Sequence, residues 1–218
     1  MRRLAALLLT TAALTACGQT EGSQDPLQVA EVLEAATPAR SPEVNRAPAG
    51  EVTPGGTFTD AGTTLKFRVN GRNVELDRLR SAVFEMTTDD KGAETRGPGL
   101  RAGDGATNGV PDRFGRLLVV DTRGGEFIAF SINPLIMRQR YPMPGTPYGI
   151  AYDAKRDLAW ITLTDRNEVV GLDVAAGEPS EKHRFPTVRQ PNTVSVDQES
   201  GRVTVTSGDN GGVQVISP

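Results

Sequence analysis

The stretch from Gly115 to Phe130 reads GRLLVVDTRGGEFIAF, and its pattern occurs three times in the chain. Residues 157–172 (DLAWITLTDRNEVVGL) and 201–216 (GRVTVTSGDNGGVQVI) align with it, each starting 42 or 44 residues after the previous copy. Each copy consists of an apolar run, a polar turn and a second apolar run, as expected for a β-hairpin. A spacing of about 40–50 residues is typical of propeller blades, which have four strands each. The repeats therefore predict an all-β fold.

The residues that precede the second and third copies support the same register. Thr146–Asp153 (TPYGIAYD) and Gln190–Asp197 (QPNTVSVD) each place a proline before an alternating run that ends at an aspartate. Proline is tolerated at the first position of a strand, and an aspartate side chain can close the following turn. Two further strands are expected at 135–140 and 182–185, and their charged residues indicate outer, edge positions in the blades.

The region before the repeats also predicts strands. Alternating apolar residues indicate strands at 63–69 and 72–77. The Asn70-Gly71 pair between them favours a type I′ hairpin turn, in which both central residues have positive φ. A third strand is expected at 82–86, followed by a glycine-rich, charged loop at 89–105.

The proline, alternating run, aspartate and hairpin of each repeat resemble the YVTN and NHL families of β-propeller repeats, over 106–218 and more weakly over 63–105. The resemblance implies the architecture but not the function, because propellers serve many functions. About 160 residues make fewer than four complete blades at this spacing, whereas closed propellers have about four to eight. We therefore expect a partial or open β-propeller of about three to four four-stranded blades. Such a chain is a shortened relative with an open ring, a ring completed by self-association, or a degenerate product.

The first seventeen residues have the character of an export signal. Two arginines precede an apolar stretch at 4–16, which is too short to span the ~30 Å hydrocarbon core of a membrane. This order of charged, apolar and small residues predicts a secretory signal peptide at 1–16. The run Leu14-Thr15-Ala16-Cys17 resembles the lipobox of bacterial lipoproteins, which implies cleavage before Cys17 and a diacylglycerol and palmitate anchor on that residue. The chain is then expected on the extracytoplasmic face of the cell membrane.

Residues 17–56 contain many Gln, Glu, Ser, Ala and Pro residues and few large apolar ones. Such a segment buries too little surface to offset the entropy of ordering it. We therefore predict a flexible, lipid-anchored linker at 17–56, with at most a short helical turn at 27–33. The propeller-like domain is expected at 57–218.

The composition disfavours several other classes of protein. The chain has 218 residues, with 24 Gly and 15 Pro and a formal net charge of −3 at pH 7. Frequent Gly and Pro disfavour helical bundles and coiled coils. A mildly negative chain offers no basic surface for a phosphate backbone, so no nucleic-acid partner is expected.

The residues that usually carry metal or nucleophilic chemistry are scarce. Cys17 is the only cysteine and His183 the only histidine, whereas a zinc site needs three or four ligands. We therefore expect no metal and no cofactor. Charged neighbours favour a solvated surface role for His183 over a catalytic one. The glycine-rich stretches at 103–105 and 208–212 lack EF-hand spacing and a P-loop lysine, so they are interpreted as turns.

The hairpin tips of the repeats would converge on one face of a ring, where propeller loops often form a binding surface. The candidate residues for binding a ligand or partner are Asp121, Arg123, Asp165, Arg166, Asn167, Asp209 and Asn210. The simpler explanation is that tight turns require Asp, Asn and Gly. The aromatic residues Tyr148, Tyr152 and Trp160 are more consistent with packing between blades than with stacking on a ligand.

Two function classes remain. The first is a lipid-tethered binding or scaffold module without catalysis, which holds the membrane through Cys17 and contacts an envelope protein or cell-wall ligand. The second is a metal-dependent hydrolase or lactonase resembling the gluconolactonase group, which uses carboxylates and asparagine around one calcium or zinc ion. That chemistry needs acids on the inner strands, where Ile150, Val194 and Val196 are apolar. Binding is therefore favoured.

Overall fold

The computed structural model describes residues 34–218, and over this range the chain forms sixteen strands and no helix. Consequently, this range holds no helix long and apolar enough to cross a membrane. The predicted signal peptide, Cys17 and the helical turn at 27–33 lie outside the described residues.

The strands form four antiparallel sheets of four strands each. The first sheet contains β2 (Thr64–Val69), β3 (Arg72–Asp77), β4 (Ala82–Thr88) and β5 (Glu94–Arg101). The second contains β6 (Ala106–Pro111), β7 (Arg116–Asp121), β8 (Glu126–Ser131) and β9 (Ile136–Pro142). The third contains β10 (Pro147–Asp153), β11 (Leu158–Leu163), β12 (Glu168–Asp173) and β13 (Ser180–Pro186). The fourth contains β14 (Pro191–Val196), β15 (Val203–Ser207), β16 (Val213–Ile216) and, at its edge, β1 (Glu51–Thr53).

The fourth sheet joins the two ends of the described chain. Strand β1 pairs with β16, so that Val52 faces Gln214 and Thr53 faces Val213. The predicted start of the domain at residue 57 is thereby corrected, because residues 51–53 supply the fourth strand of the last blade. This also explains why counting residues after 57 gave fewer than four complete blades.

The first sheet confirms the predicted hairpin. Asn70 and Gly71 have φ of 49° and 80°, as a type I′ turn requires. The loop expected at 89–105 is wrong in part, because β5 runs through it and pairs with β4. Pro98 and its flanking glycines hide this strand in the sequence, and they are tolerated because β5 lies at the edge of its sheet.

Adjacent sheets pack face to face in chain order through three buried clusters. Trp160 of the third sheet, for example, is fully buried in a cluster with Val203 and Val205 of the fourth. A Cβ on Gly171 would lie 3.0 Å from the Trp160 ring, so this strand pair needs glycine there. Strand β10 packs beside both β6 and β14, which places the first strand of each blade at the inside. The predicted β-propeller architecture is confirmed.

The turns after the inner strands use aspartates, as predicted for Asp153 and Asp197, and Asp112 is a third that was not predicted. Asp112 Oδ1 accepts hydrogen bonds from the Phe114 and Arg116 amides at 2.9 and 2.8 Å. The equivalent aspartates, Asp153 and Asp197, accept the same kind of hydrogen bond from the residues two and three positions later. The repeat therefore owes its aspartate to turn geometry.

The aromatic residues pack as predicted, whereas the histidine differs. Tyr148, Tyr152 and Trp160 are buried. His183 is half-buried, and its ring stacks on Trp160 with centroids 5.4 Å apart. The expected solvated histidine is thus corrected, because its ring packs against Trp160 and Phe185. Burial, together with the charge of Arg156, lowers its pKa.

Candidate functional site

The loop face is the end of the sheets that carries the β3–β4, β7–β8, β11–β12 and β15–β16 turns. Residues 34–50, which we call the strap, lie across this face from the second and first sheets toward the fourth. At its start, the Glu34 carbonyl oxygen accepts a hydrogen bond from Arg123 at 3.5 Å. At its end, the Ala49 amide donates to Pro186 O at 3.0 Å. The part of the predicted linker from residue 34 onward therefore packs on the propeller.

Side chains of the propeller donate hydrogen bonds to main-chain carbonyls of the strap. Asn167 Nδ2 lies 2.9 Å from Pro42 O, and Gln190 Nε2 lies 2.8 Å from Ala39 O. Gln214 Nε2 lies 2.6 Å from Ala49 O. These contacts are made to the main chain of the strap, and most of its side chains remain in solvent.

Ser41 is the strap residue most deeply fixed in the loop face. Its amide donates to Gln190 Oε1 at 3.0 Å, and its Oγ donates to the carbonyl of Thr164. The same Oγ accepts the Gln190 amide at 3.1 Å. Its polar atoms are therefore satisfied by the propeller although the residue is buried.

Two of the predicted binding residues lie in the β7–β8 turn, where one of them has a structural role. Asp121 is fully buried, and its carboxylate accepts the amides of Asp104, Gly105 and Gly124 at 2.8, 2.7 and 3.0 Å. This carboxylate closes its own turn and is not available to a ligand. Arg123, by contrast, is exposed and donates to Asp104 O at 3.0 Å besides its contact with the strap.

The remaining predicted residues divide in the same way. Asp165 and Arg166 stay in solvent, 3.9 Å apart. Asn167 is buried under the strap with a φ of 51°. Asp209 pairs with Arg189 at 2.7 Å, and Asn210 occupies a positive-φ turn position. The structure therefore brings these residues to one face, but it does not bring them together in one site.

The aspartates of these tips are not equivalent positions. In the hairpin of the second sheet, Asp121 pairs with Glu126. In the hairpin of the third sheet, the equivalent residue that pairs with Glu168 is Leu163 and not Asp165. The next residue is a threonine in both hairpins, Thr122 or Thr164. Each threonine hydroxyl donates a hydrogen bond to a carbonyl at the start of the third blade. The recurring feature of the tips is therefore a structural hydroxyl, not a carboxylate.

A small axial recess lies among the inner strands. Its volume is about 160 Å³, and its walls are Phe58–Ala61, Asn108, Tyr148–Ile150 and Asn192–Val194. The first of these segments belongs to residues 54–63, the connector between β1 and β2, and the others belong to β6, β10 and β14. A register shift occurs near the start of each of these three strands, where the wall residues lie.

Amide groups line two sides of the recess. Asn108 Nδ2 donates to Tyr148 O at 2.9 Å. Asn192 is buried, and its Oδ1 accepts Gln190 Nε2 at 3.0 Å. The sequence did not single out these asparagines, although a polar amide among the apolar positions of an inner strand was the available signal.

Asp60 carries the negative charge of the recess, and Arg78 neutralises it from behind. The Arg78 side chain is fully buried and pairs with the Asp60 carboxylate, which is about half exposed. Arg78 also donates to the carbonyls of Gly62 and Ala36, and its Nη2 lies 3.4 Å from the Tyr148 hydroxyl. Its Nε has no hydrogen-bond partner within residues 34–218.

The chemistry of the recess is that of hydrogen bonding. Burial and the Asp60 charge raise the pKa of Tyr148, so its hydroxyl stays protonated at neutral pH. The Phe58 and Tyr148 rings pack edge to face with their centroids 5.8 Å apart, and Phe58 closes one side of the recess. Within the described part of the chain, no group of three or more His, Cys, Asp or Glu residues is arranged to hold a metal ion.

No family profile matches the sequence, and no curated protein is similar to it. Solved structures are similar in fold. A 6-phosphogluconolactonase-like protein from Bacteroides uniformis is 13% identical over 73% of this chain and 54% of its own, with a TM-score of 0.61.

A streptogramin B lyase is 13% identical over 77% of this chain and 55% of its own, with a TM-score of 0.53. The β-propeller domain of Myceliophteria thermophila Cps50 (Swd1) is 10% identical over 70% and 52%, with a TM-score of 0.57. This chain therefore spans about half the length of these structures. At such identities, the similarity shows a β-propeller fold and transfers no activity.

Proposed function

We propose that this chain is a binding module of the bacterial cell envelope, which takes a small polar group into the axial recess. The observation that carries the proposal is the wall of the recess, where Asp60, Asn108 and Asn192 surround one space. Carboxylate and amide groups together offer hydrogen-bond acceptors and donors, as polar ligands require.

The size of the recess limits the ligand. Its ~160 Å³ is below the about 300–1,000 Å³ of pockets that enclose drug-sized molecules. The ligand is therefore a small molecule, such as a sugar or an amino acid, or one group of a larger ligand. Because Arg78 neutralises Asp60, the recess selects polar ligands over strongly charged ones.

The location of the module rests on the lipobox-like run before Cys17. An acylated Cys17 would hold the domain at the extracytoplasmic face of the membrane, where one acyl chain alone is marginal and two or more are stable. The strap, which begins at residue 34, would then follow this anchor in the chain.

The test uses ligand-detected saturation-transfer NMR with a panel of monosaccharides, amino sugars and amino acids at millimolar concentration. Thr193→Trp fills the recess, and Thr204→Trp places the same side chain on the neighbouring strand away from the recess walls. We expect at least one compound to give a signal with the wild type and Thr204→Trp that is lost in Thr193→Trp. A signal that survives Thr193→Trp, or a panel with no binder, contradicts the proposal.

A metal-dependent hydrolase is the second candidate, and the oxygen atoms of Asp60, Asn108 and Asn192 in one recess are the observation that favours it. A cation bound at one hundred times its Kd would stabilise the fold by about 2.7 kcal/mol, or about 5–10 °C in Tm. Under the binding proposal, millimolar calcium leaves Tm unchanged. A rise in Tm that Asp60→Asn abolishes, together with calcium-dependent hydrolysis of gluconolactone, would favour the hydrolase.

A further inference from the structure

The loop face holds the strap through its main chain. Besides Arg123, which donates to Glu34 O at the start of the strap, four side chains donate to strap carbonyls: Arg78 to Ala36, Gln190 to Ala39, Asn167 to Pro42 and Gln214 to Ala49. These four donors come from the first, third and fourth blades and from the loop before β14. Together they form a row that follows the main chain of the strap over fourteen residues.

The strap covers these donors. With the strap in place, Gln214 and the Arg78 side chain are fully buried, and Asn167 is nearly so. Gln214 Nε2 also donates to Pro186 O and Arg78 also pairs with Asp60, so the loss of the strap would remove one hydrogen bond from each of them, which water would have to replace. A polypeptide with carbonyls at the same spacing would restore these hydrogen bonds.

Two strap positions insert side chains into the face. Ala36 and Ser41 are buried, whereas the strap from Pro42 to Ala47 is exposed. A Cβ on Gly105 would lie 2.8 Å from the Ala36 Cβ, so the Ala36 side chain packs directly against the main chain at Gly105. A small residue followed five positions later by serine is thus the sequence requirement. Pro38, Pro42 and Pro48 restrict the main chain of the strap and lower the entropy lost on docking.

We propose that the loop face is a peptide-binding groove and that the strap occupies it as a tethered ligand. The external partner is an extended, proline-containing polypeptide segment with a small residue and a serine at the spacing of Ala36 and Ser41. This groove differs from the axial recess and does not depend on the recess binding a small molecule. Because the strap belongs to the same chain, an external peptide competes with an intramolecular ligand and enters only when the docking of the strap is weakened.

The test measures fluorescence anisotropy of a labelled synthetic peptide with the sequence of residues 34–50, which leaves out β1, added to full-length chains. Gly50→Val weakens the internal strap, because a Cβ at Gly50 would lie 2.1 Å from Val215 O. Gly177→Val is the matched control, since a Cβ there meets nothing within 4 Å. We expect the peptide to bind Gly50→Val at least tenfold more tightly than it binds the wild type or Gly177→Val.

Two further measurements keep the outcome decisive. If Gly50→Val does not fold, Ser41→Ala replaces it, because this change removes the strap hydrogen bonds to Thr164 O and from the Gln190 amide without adding bulk. A peptide carrying Ser41→Leu should bind the weakened chain at least tenfold less tightly than the unmodified peptide. Absence of binding to the folded weakened chain, or equal binding of both peptides, overturns the proposal.

Discussion

Gln214 connects the strap, the fourth sheet and the loop before β14, and its substitution should weaken all three. It is fully buried. Its Nε2 donates to Ala49 O and Pro186 O at 2.6 and 3.0 Å, and its Oε1 accepts the Val188 amide at 3.0 Å. Gln214→Met keeps the length of the side chain and removes all three hydrogen bonds.

The magnitude follows from the fate of each partner. The buried Val188 amide is left without an acceptor, which costs about 1–3 kcal/mol, and two lost hydrogen bonds to carbonyls add about 0.5–1.5 kcal/mol each. The free energy of unfolding should fall by about 2–6 kcal/mol, a large part of the about 5–15 kcal/mol of a typical domain. With a urea m-value of about 2 kcal/mol/M, the denaturation midpoint falls by about 1–3 M.

Gln198→Met is the matched control. Gln198 also bridges two backbone groups, the Ala154 amide and the Tyr152 carbonyl, but it is exposed, so water can replace its hydrogen bonds. Its substitution should change the free energy of unfolding by less than about 1 kcal/mol. Hydrogen exchange should quicken at residues 49–53 in Gln214→Met alone. Equal midpoints for the two variants would refute the reasoning.

Asp121→Asn should lower the free energy of unfolding by about 1–3 kcal/mol. Asn has one acceptor oxygen in place of two, so at least one of the three backbone amides loses its acceptor. The exposed Asp165→Asn should have little effect, and equal losses would contradict the capping role. As pH falls below about 6.5, the unfolded chain binds a proton at His183 before the folded chain does, so stability should fall there. His183→Phe should remove this slope, and an unchanged slope in urea titrations would assign it to other groups. Asn70-Gly71→Ala-Ala should cost about 1 kcal/mol or more at each positive φ, and an unchanged melting curve would count against the turn. Cys17→Ser should move the protein from the detergent phase to the aqueous phase, and retention in detergent would show that Cys17 is not the anchor.

The sequence predicted those parts of the fold that short-range patterns determine. The hairpin at Asn70-Gly71 and the aspartate turns follow from residues within a few positions of one another. Strand β1 could not be predicted in this way, since Glu51–Thr53 is a short run between glycines and prolines. Its conformation depends on pairing with β16, about 160 residues later, which no local pattern reports.

The site was harder to predict for a similar reason. Asp121 and Asp165 look alike as turn residues, yet one carboxylate is buried by three amides and the other is exposed. The strap is held mainly through its carbonyl oxygens, which every residue has, so its composition alone indicated an unstructured linker. The asparagines of the recess become a pair only when β6 and β14 are brought to the two sides of β10.

Arg78 lies where the strap, the connector and the third blade meet. It pairs with Asp60 of the connector, and it contacts the strap at Ala36 and the third blade at Tyr148. If the strap leaves and no peptide replaces it, Arg78 loses its Ala36 contact, and the side chain that pairs with Asp60 is then held by fewer groups. Occupancy of the groove and affinity at the recess should therefore be coupled in free energy, and each ligand must change the affinity of the other by the same factor.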